Sequence, residues 1–424
     1  MKRRSFIKNT AFASLALTNI GNLYSGIPKA NQPTLDPQRP LAINMWDNTW
    51  LLRHYKGGSF EDWDKCLDEL LERGYNALRI DCFPQLIAAD DQGNIQEKYT
   101  ILKNNWGPAL WGNQYSTEIE PHASLLSFMR KCRERDIYIG LSSWFLDHST
   151  GRINTFKTVD DVGRAWHETL QFLDDHGLLE NIIYVDLLNE YPLWNGYCGR
   201  WLSKELNTLS DNGNANVSGK GYDFLNKKGK RFNTEQIIRY NNFINNLIEQ
   251  LAAKWPNLSF FASQTNTLNV PWQDLDISRF AVQDVHCWFV YNADFSRYTN
   301  YFQDIHVLKN DIHFRRCSGK INEYWNTHKK ELTAWMEEQV IARKEIANKQ
   351  MIPYGNTEGW GAVMWMDHPG LNWDFIKEAG LIGAELGNKH GYAFNCSSNF
   401  NHPHFGLWND IEWHKEVTNI IKNA

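Results

Sequence analysis

The sequence lacks the patterns of a metal centre or a disulfide framework. Its seven cysteines are widely scattered, with no Cys-x-x-Cys pair and no cluster of cysteine and histidine at zinc-binding spacing. An odd number of widely spaced cysteines also argues against a scaffold stapled by disulfides. We therefore predict no metal site and no cofactor.

The sequence also lacks a surplus of positive charge and any long apolar run. Its 44 Lys and Arg residues are outnumbered by 49 Asp and Glu residues, which gives a formal net charge of −5. Nucleic-acid-binding proteins normally carry a basic surface, so nucleic acid is not an expected partner. No stretch reaches the ~20 apolar residues of a membrane-spanning helix. The 42% of hydrophobic residues predicts a folded, soluble body with a large core.

The first residues differ in character from the rest of the chain. Arg3 and Arg4 precede an apolar pair and Lys8, and a mildly hydrophobic segment follows at 10–20. This order resembles an export signal of the twin-arginine type, with a solvated basic N-terminus as the alternative. We predict that residues 1–30 are an export signal and tether and that residues 31–424 form a single domain. The protein would then be periplasmic or extracellular.

Strand-like and helix-like segments alternate along the predicted domain. Helical patterns separate most of eight strand candidates, and Trp63 and Trp166 lie on the apolar faces of two such helices, which assigns them to the core. This alternation predicts a parallel (β/α)8 TIM barrel, with loop insertions at 84–121 and 195–231 that rise over the C-terminal face of the strands. The strand candidates lie at 41–46, 77–83, 137–141, 182–188, 258–263, 281–289, 351–358 and 391–394.

Two of these strand candidates end in glutamate. The apolar run 182–188 stops at Asn189 and Glu190, and the seventh candidate ends at Glu358. Active sites of such barrels lie at the C-terminal ends of the strands. Two carboxylates that face each other there suit glycoside hydrolysis, in which one donates a proton and the other attacks the anomeric carbon.

Aromatic residues are frequent, and several follow strand candidates. The chain has 19 tryptophans, and aromatic residues make up 14% of it. Tryptophan rings often form platforms on which sugar rings stack. We predict that Trp46, Trp144 and Trp288 bind substrate in this way, with packing of the barrel or its loops as the alternative for each.

Asn189-Glu190 and Asn356-Thr357-Glu358-Gly359 resemble the signature of the retaining glycosidase barrels of clan A. Among these the sequence is most similar to glycoside hydrolase family 5 and the cellulase-like proteins grouped near it. The resemblance implies the following roles: Glu190 as acid/base, Glu358 as nucleophile, Asn189 as the amide that binds the sugar 2-hydroxyl, Arg79 as the support of the nucleophile, and His286 as the histidine of strand six.

The sequence departs from the family pattern at three strands. Trp288 stands where strand six normally has a tyrosine, and Tyr291 is the alternative source of that side chain. Strand three ends in Ser142-Ser143-Trp144, without the usual histidine. Strand eight has no evident tryptophan, although Trp408 is a candidate for that position.

The residues and the resemblance together predict a retaining glycoside hydrolase that acts on β-linked oligo- or polysaccharides by double displacement. The expected partner is a carbohydrate substrate. A carbohydrate-binding barrel without catalytic activity is the first alternative. A metal-dependent hydrolase that uses His286 with Asp47 or Asp81 ranks lowest, because no His-x-His pair ends a strand. Taken singly, Arg79 is also compatible with a structural ion pair to Asp47 or Asp81, and His286 with a core histidine.

Overall fold

The computed structural model describes residues 35–103, 115–156, 158–191, 234–265, 275–301, 311–362, 372–399 and 401–423. The predicted export signal at 1–30 and the predicted insertion at 195–231 lie outside these residues.

The described strands are β1 (Leu41–Asp47), β2 (Ala77–Asp81), β3 (Tyr99–Ile101), β4 (Thr117–Ile119), β5 (Tyr138–Ser142), β6 (Ile182–Asp186), β7 (Phe260–Phe261), β8 (Gln264–Thr265), β9 (Gln283–Trp288), β10 (Tyr354–Asn356), β11 (Gly359–Trp360) and β12 (Phe394–Cys396). Ten of these segments form one parallel sheet at the centre of the fold. The sheet runs β1-β2-β5-β6-β7 on one side and β8-β9-β10-β12 on the other, β12 pairs with β1, and β11 also pairs with β9.

The fifth strand of the barrel is divided into two short halves. β7 pairs with β6, whereas β8, three residues further along the chain, pairs with β9. The circuit of parallel pairing is therefore closed through residues 260–265. This confirms the predicted TIM barrel, whose eight strand candidates all lie in the circuit.

Helices cover the outside of the barrel. They are α1 (Thr49–Leu52), α2 (Trp63–Glu72), α3 (Pro84–Ile87), α4 (Pro121–Arg133), α5 (Val159–Asp175), α6 (Thr234–Lys254), α7 (Ala293–Thr299), α8 (Asp311–Gln350), α9 (Asp374–His390) and α10 (Ile411–Lys422). His328 has non-helical φ and ψ angles of −122° and 17°, so α8 consists of two helices joined at a kink. Among the described residues, no helix combines the length and the apolar composition that crossing a membrane requires.

The start of α5 shows how the local sequence specifies a helix. The Thr158 side chain accepts a hydrogen bond from the backbone N–H of Asp161, and the Asp161 carboxylate accepts one from the backbone N–H of Thr158. This capping box satisfies two amide groups that would otherwise lack partners. The buried face of the helix includes Trp166, whose Nε1–H donates to the Leu187 carbonyl at 2.9 Å. Trp166 is thus a core residue, as predicted.

The insertion after β2 is only partly loop. Its described residues contain the short helix α3 and an antiparallel hairpin in which Tyr99 pairs with Ile119. The hairpin forms a separate two-stranded sheet, so the insertion leaves the barrel circuit unchanged.

The interior of the barrel is filled beneath the site. Tyr184 on β6 is fully buried and contacts the rings of Phe261 and Phe394. Gly140 on the neighbouring strand β5 makes room for it, since a Cβ atom there would lie 2.2 Å from the tyrosine ring. The closely packed layer around Tyr184 forms the floor under the polar residues at the C-terminal ends of the strands.

Candidate active site

Arg79 lies at the centre of a buried polar cluster. Its position on β2 points the side chain into the barrel, where no part of the residue is exposed to solvent. Nη1 donates to Glu358 Oε1 at 2.5 Å, and Nη2 donates to Asn189 Oδ1 and, at 3.1 Å, to Ser142 Oγ. One guanidinium therefore connects both segments in which the sequence predicted site residues.

Two aspartates flank the same guanidinium. Asp47 Oδ1 lies 3.6 Å from Nη1, and Asp186 Oδ2 lies 3.5 Å from Nη2. Burial raises the pKa of Asp186, and it raises that of Asp47 to about 6, although Arg79 opposes both shifts. Burial by itself lowers the pKa of Arg79, but the surrounding carboxylates outweigh this effect and raise it. Arg79 is a permanent cation, and its ion pairs include the predicted alternative partner Asp47.

Asp81 does not pair with Arg79. Its two carboxylate oxygens accept from the backbone N–H groups of Phe83 and Trp144, at 2.7 and 2.8 Å. Burial raises the pKa of Asp81 to about 7 against the effect of these hydrogen bonds. Asp81 therefore ties the loop after β2 to the loop after β5.

His286 lies between the two glutamates. Its Nδ1 is 2.9 Å from Glu190 Oε1 and 3.4 Å from Glu358 Oε1. One oxygen of Glu190, one oxygen of Glu358 and one ring nitrogen of His286 all lie within 4.8 Å of one another. The structure thus brings the two predicted catalytic carboxylates together around one imidazole.

Asp284 and Thr357 contact the other side of the imidazole. Asp284 Oδ2 lies 3.6 Å from His286 Nε2, and Thr357 Oγ1 lies 3.3 Å from the same nitrogen. Thr357 in turn donates to both oxygens of Asp284, from its backbone N–H at 3.0 Å and from its hydroxyl at 2.5 Å. The imidazole is therefore held on both sides.

The protonation of these groups follows from their surroundings. Burial lowers the pKa of His286, but Glu358 and Asp284 more than reverse this and raise it to about 10. His286 is consequently an imidazolium at neutral pH, with both ring nitrogens as donors. Burial raises the pKa of Glu190 and of Glu358, with His286 opposing the rise at both and Arg79 also bonded to Glu358.

Local backbone geometry sets the direction of Glu190. Its φ angle of 45° lies in the left-handed region that few non-glycine residues adopt. Its backbone N–H donates to Ser263 Oγ at 2.9 Å, and the N–H of Asn189 donates to the Ser143 carbonyl at 2.9 Å. The fully buried Asn189 Nδ2 has no hydrogen-bond partner within the described part of the chain. The role that the family resemblance implies for Asn189, binding the sugar 2-hydroxyl, stays a prediction.

Trp144 lies next to the carboxylate cluster. Its Nε1–H donates to Asp47 Oδ2 at 2.6 Å, and 9% of the residue is exposed. Trp288 is the last residue of β9 and has no exposed surface. Because it lies two positions after His286 in the same strand, both side chains point to the same face of the sheet. Both positions are compatible with a sugar platform, and substrate binding by these two residues stays a prediction.

Two other tryptophans lie elsewhere. Trp46 packs against Phe60 and Phe128 in the helical layer, with ring centroids 5.0 and 6.0 Å apart, so its predicted role in binding substrate is wrong. Trp408 donates to Glu69 Oε2 at 2.8 Å, near the C-terminal end of α2, and does not supply the tryptophan of strand eight. Tyr291 lies in the buried turn Phe289–Tyr291 directly after β9, and its predicted role is untested.

Sequence reasoning missed several polar residues that support the site. Asn399, just after β12, donates from Nδ2 to Glu358 Oε2 at 3.3 Å and accepts from the Gly359 N–H at 3.0 Å. Asp186 and Asp284 are acidic residues inside the strand candidates 182–188 and 281–289, and this was the signal that could have revealed them. Asn395, on β12 itself, donates from Nδ2 to the Gly383 carbonyl at 3.0 Å.

The spacing of Glu190, His286 and Glu358 also suits a metal ion. Among the described residues, no other group of three or more His, Cys, Asp or Glu side chains has ligand atoms so close together. However, the Nδ1 atom that a metal would need lies at hydrogen-bond distance from Glu190. Both ring nitrogens are thus directed at oxygen atoms, and the arrangement suits proton transfer better than metal coordination.

The closed circuit of eight parallel strands, with paired glutamates at the C-terminal ends, defines a TIM barrel with a carboxylate site. A family model described as sugar-binding cellulase-like matches residues 43–422, and the chain belongs to this cellulase-like family. No curated protein matches the sequence.

Solved structures agree with this family. A Parabacteroides distasonis protein described as a candidate glycoside hydrolase is 29% identical, with a TM-score of 0.73 over 91% of this chain and 94% of that chain. The Clostridial cellulose synthase subunit Z of Clostridioides difficile is 12% identical, with a TM-score of 0.50 over 90% of this chain and 99% of that chain. The second likeness is one of fold alone.

Proposed function

We propose that this protein is a retaining glycoside hydrolase that cleaves β-linked oligo- or polysaccharides by double displacement. The observation that carries the proposal is the approach of Glu190 and Glu358, whose nearest oxygens lie within 4.8 Å. Retaining enzymes hold their two carboxyl groups about 5–5.5 Å apart, whereas inverting enzymes need roughly 6.5–9.5 Å to accommodate a water molecule. The observed spacing supports retention.

In the first step Glu358 attacks the anomeric carbon and the glycosidic C–O bond breaks. Glu190 transfers its proton to the departing oxygen, so that the leaving sugar departs as a neutral alcohol. The pKa of Glu190 is raised by burial, which suits a proton donor at neutral pH. Arg79 and Asn399 hold the Glu358 carboxylate from two directions.

In the second step a water molecule attacks the anomeric carbon of the covalent intermediate. Glu190, now ionised, accepts a proton from that water, and the bond between Glu358 and the sugar breaks. Both glutamates return to their starting protonation states. Asn189 Nδ2 is directed to bind the sugar 2-hydroxyl, and Trp144 and Trp288 are proposed to contact sugar rings.

Rescue by azide tests the two roles separately. With a dinitrophenyl glycoside as substrate, Glu358→Ala should release a glycosyl azide of inverted configuration, because azide occupies the place of the nucleophile. Glu190→Ala should give a retained azide, because the intermediate still forms and azide needs no base. Glu331→Gln, at an exposed position, is the matched control. Activity of either alanine variant at the level of the wild type would contradict the assignment.

The preferred substrate can be identified by comparing turnover and products across a panel of glycans. Turnover should be measured on β-mannan, β-glucan, xylan and galactan and on the corresponding aryl glycosides. The alternative function, a carbohydrate-binding barrel without activity, predicts saturable binding to one of these glycans and no turnover on any.

We also propose that the chain is exported, with residues 31–424 as one catalytic domain. The arginine pair Arg3-Arg4 carries this proposal. Changing both arginines to lysine should retain the protein in the cytoplasm, as measured by cell fractionation. Export of that variant at the level of the wild type would contradict a twin-arginine signal.

A further inference from the structure

The imidazole between the two catalytic carboxylates is itself held by a pair of residues that the proposed reaction does not use. Asp284 and Thr357 lie on the side of His286 that faces away from Glu190. Asp284 is 1% exposed, and both of its oxygens accept hydrogen bonds from Thr357. A carboxylate fixed so firmly next to a ring nitrogen fixes the protonation and the direction of that ring.

We propose that Asp284 and Thr357 are positioning residues that keep His286 doubly protonated and thereby place the catalytic proton of Glu190 on Oε2. This inference rests on the proposed function, since it concerns the acid/base step of the same site. Asp284 and Thr357 act through His286 and touch no reacting atom.

The placement of the proton follows from the hydrogen bond of His286. An imidazolium donates from both nitrogens, so Nδ1–H donates to Glu190 Oε1 at 2.9 Å. A protonated carboxyl group has one donor oxygen and one acceptor oxygen. Because Oε1 is the acceptor, the proton lies on Oε2. No hydrogen bond to Oε2 occurs within the described residues, which leaves this oxygen available to the glycosidic oxygen.

Charged groups face His286 from several strands. Glu190 follows β6, Glu358 follows β10, Asp284 lies on β9 itself, and Asp47 at the end of β1 also interacts with the ring. Arg79 on β2 is a cation bound to Glu358 and close to Asp47. Both Glu358 and Asp284 raise the pKa of His286, but Glu358 is also paired with Arg79, whereas His286 is the only basic side chain paired with Asp284 among the described residues.

Asp284→Asn should misplace the proton. Thr357 Oγ1, 3.3 Å from Nε2, can still accept from Nε2–H, but without the carboxylate charge of Asp284 the His286 ring loses a proton more readily. The neutral ring keeps its hydrogen on Nε2, and Nδ1 becomes an acceptor. Glu190 then donates its proton to Nδ1 from Oε1, away from the substrate, and protonation of the leaving group becomes inefficient.

The dependence of activity on the leaving group distinguishes this effect from a general loss of structure. A methoxyphenyl glycoside needs acid assistance for its leaving group, whereas a dinitrophenyl glycoside does not. Asp284→Asn should lower kcat/KM on the first substrate at least about tenfold more than on the second. An equal loss on both substrates at an unchanged melting temperature would overturn the proposal.

Thr357 provides a matched pair of variants. Thr357→Val removes the hydroxyl that donates to Asp284 and keeps the shape of the side chain, whereas Thr357→Ser keeps the hydroxyl. The selectivity between the two leaving groups should change in the valine variant and be largely restored in the serine variant. Identical behaviour of the two variants would show that the hydroxyl has no positioning role.

A measurement without substrate separates this inference from the proposed function. In the ¹⁵N spectrum of labelled histidine, assigned with His286→Gln, His286 should remain doubly protonated at pH 8, in line with its pKa of about 10. In Asp284→Asn it should lose its proton at lower pH. An unchanged titration would overturn the inference even in an active enzyme, and the expected shift in an inactive protein would overturn only the proposed function.

Discussion

Arg79 Nη1 lies 2.5 Å from Glu358 Oε1, although the two residues are 279 positions apart in the sequence. They lie on β2 and directly after β10, strands that are separated in the sheet by β12 and β1. The contact therefore crosses the mouth of the barrel. It keeps the proposed nucleophile next to a permanent cation, where ionisation is favoured.

Arg79→Met should destabilise the protein strongly. The variant leaves Asp47, Asp186 and Glu358 buried without their cation, and loss of one partner from a buried pair costs about 3–5 kcal/mol. The loss in free energy of unfolding should be larger at pH 8 than at pH 5, because the uncompensated carboxylates can accept protons at the lower pH. Urea denaturation at the two pH values measures this.

Arg297→Met is the control for that experiment. Arg297 pairs with Asp294 at the surface, where their side chains are 80% and 67% exposed. Exposed pairs contribute about 0–1 kcal/mol. A loss for Arg79→Met no larger than that of the control would show that the buried cluster does not depend on the arginine.

The stability of the protein should fall between about pH 4 and pH 6 through Asp47. Burial raises the pKa of Asp47 from its ordinary 3.8 to about 6, so within this interval the folded state holds a proton that the unfolded state has released. Stability therefore decreases as the pH rises through the interval and is constant above it, as far as this group is concerned. Asp47→Asn should reduce this slope in urea denaturation. A slope identical to that of the wild type would place the titration on other groups.

Trp144→Ala should weaken substrate binding more than it slows turnover. The change removes an aromatic surface next to the carboxylates and the hydrogen bond of 2.6 Å to Asp47. Loss of a stacking platform worth about 1–2 kcal/mol would raise KM roughly tenfold. Steady-state kinetics on the preferred glycoside measure this. Trp46→Ala, a change in the helical layer, is the control and should leave KM unchanged in the folded fraction. An equal rise of KM in both variants would show that Trp144 is not a stacking platform.

Tyr184→Phe and Gly140→Ala should have opposite effects on stability. Among the described residues the buried Tyr184 hydroxyl has no hydrogen-bond partner, so its removal should be neutral or stabilising by up to about 1 kcal/mol. The Cβ atom of an alanine at position 140 would overlap the tyrosine ring, and overpacking of this kind costs about 1–3 kcal/mol or more. Thermal unfolding of both variants tests this. A stable Gly140→Ala variant would mean that the layer can expand.

Sequence reasoning predicted the barrel because alternation of strands and helices is a local pattern. Trp166 and Trp63 were assigned to the core from helical spacing, and both have buried indole N–H groups bonded to backbone carbonyls. Position at the end of a strand candidate was misleading for Trp46, and Trp408, considered only because of the family resemblance, lies near α2. Position at or near the end of a strand does not specify whether a side chain points into the mouth or onto the helices.

The sequence alone determined the order of the strands and the two segments that end in glutamate, since hydrophobic periodicity and strand length are properties of neighbouring residues. Only the tertiary structure decided that Arg79, His286 and both glutamates meet, and that Asp47, Asp186, Asp284, Thr357 and Asn399 support them. These contacts depend on the register and closure of the barrel, which join residues far apart in the chain. Asn189 and Glu190 were visible in the sequence, whereas the hydrogen bonds that set their direction exist only in the closed barrel.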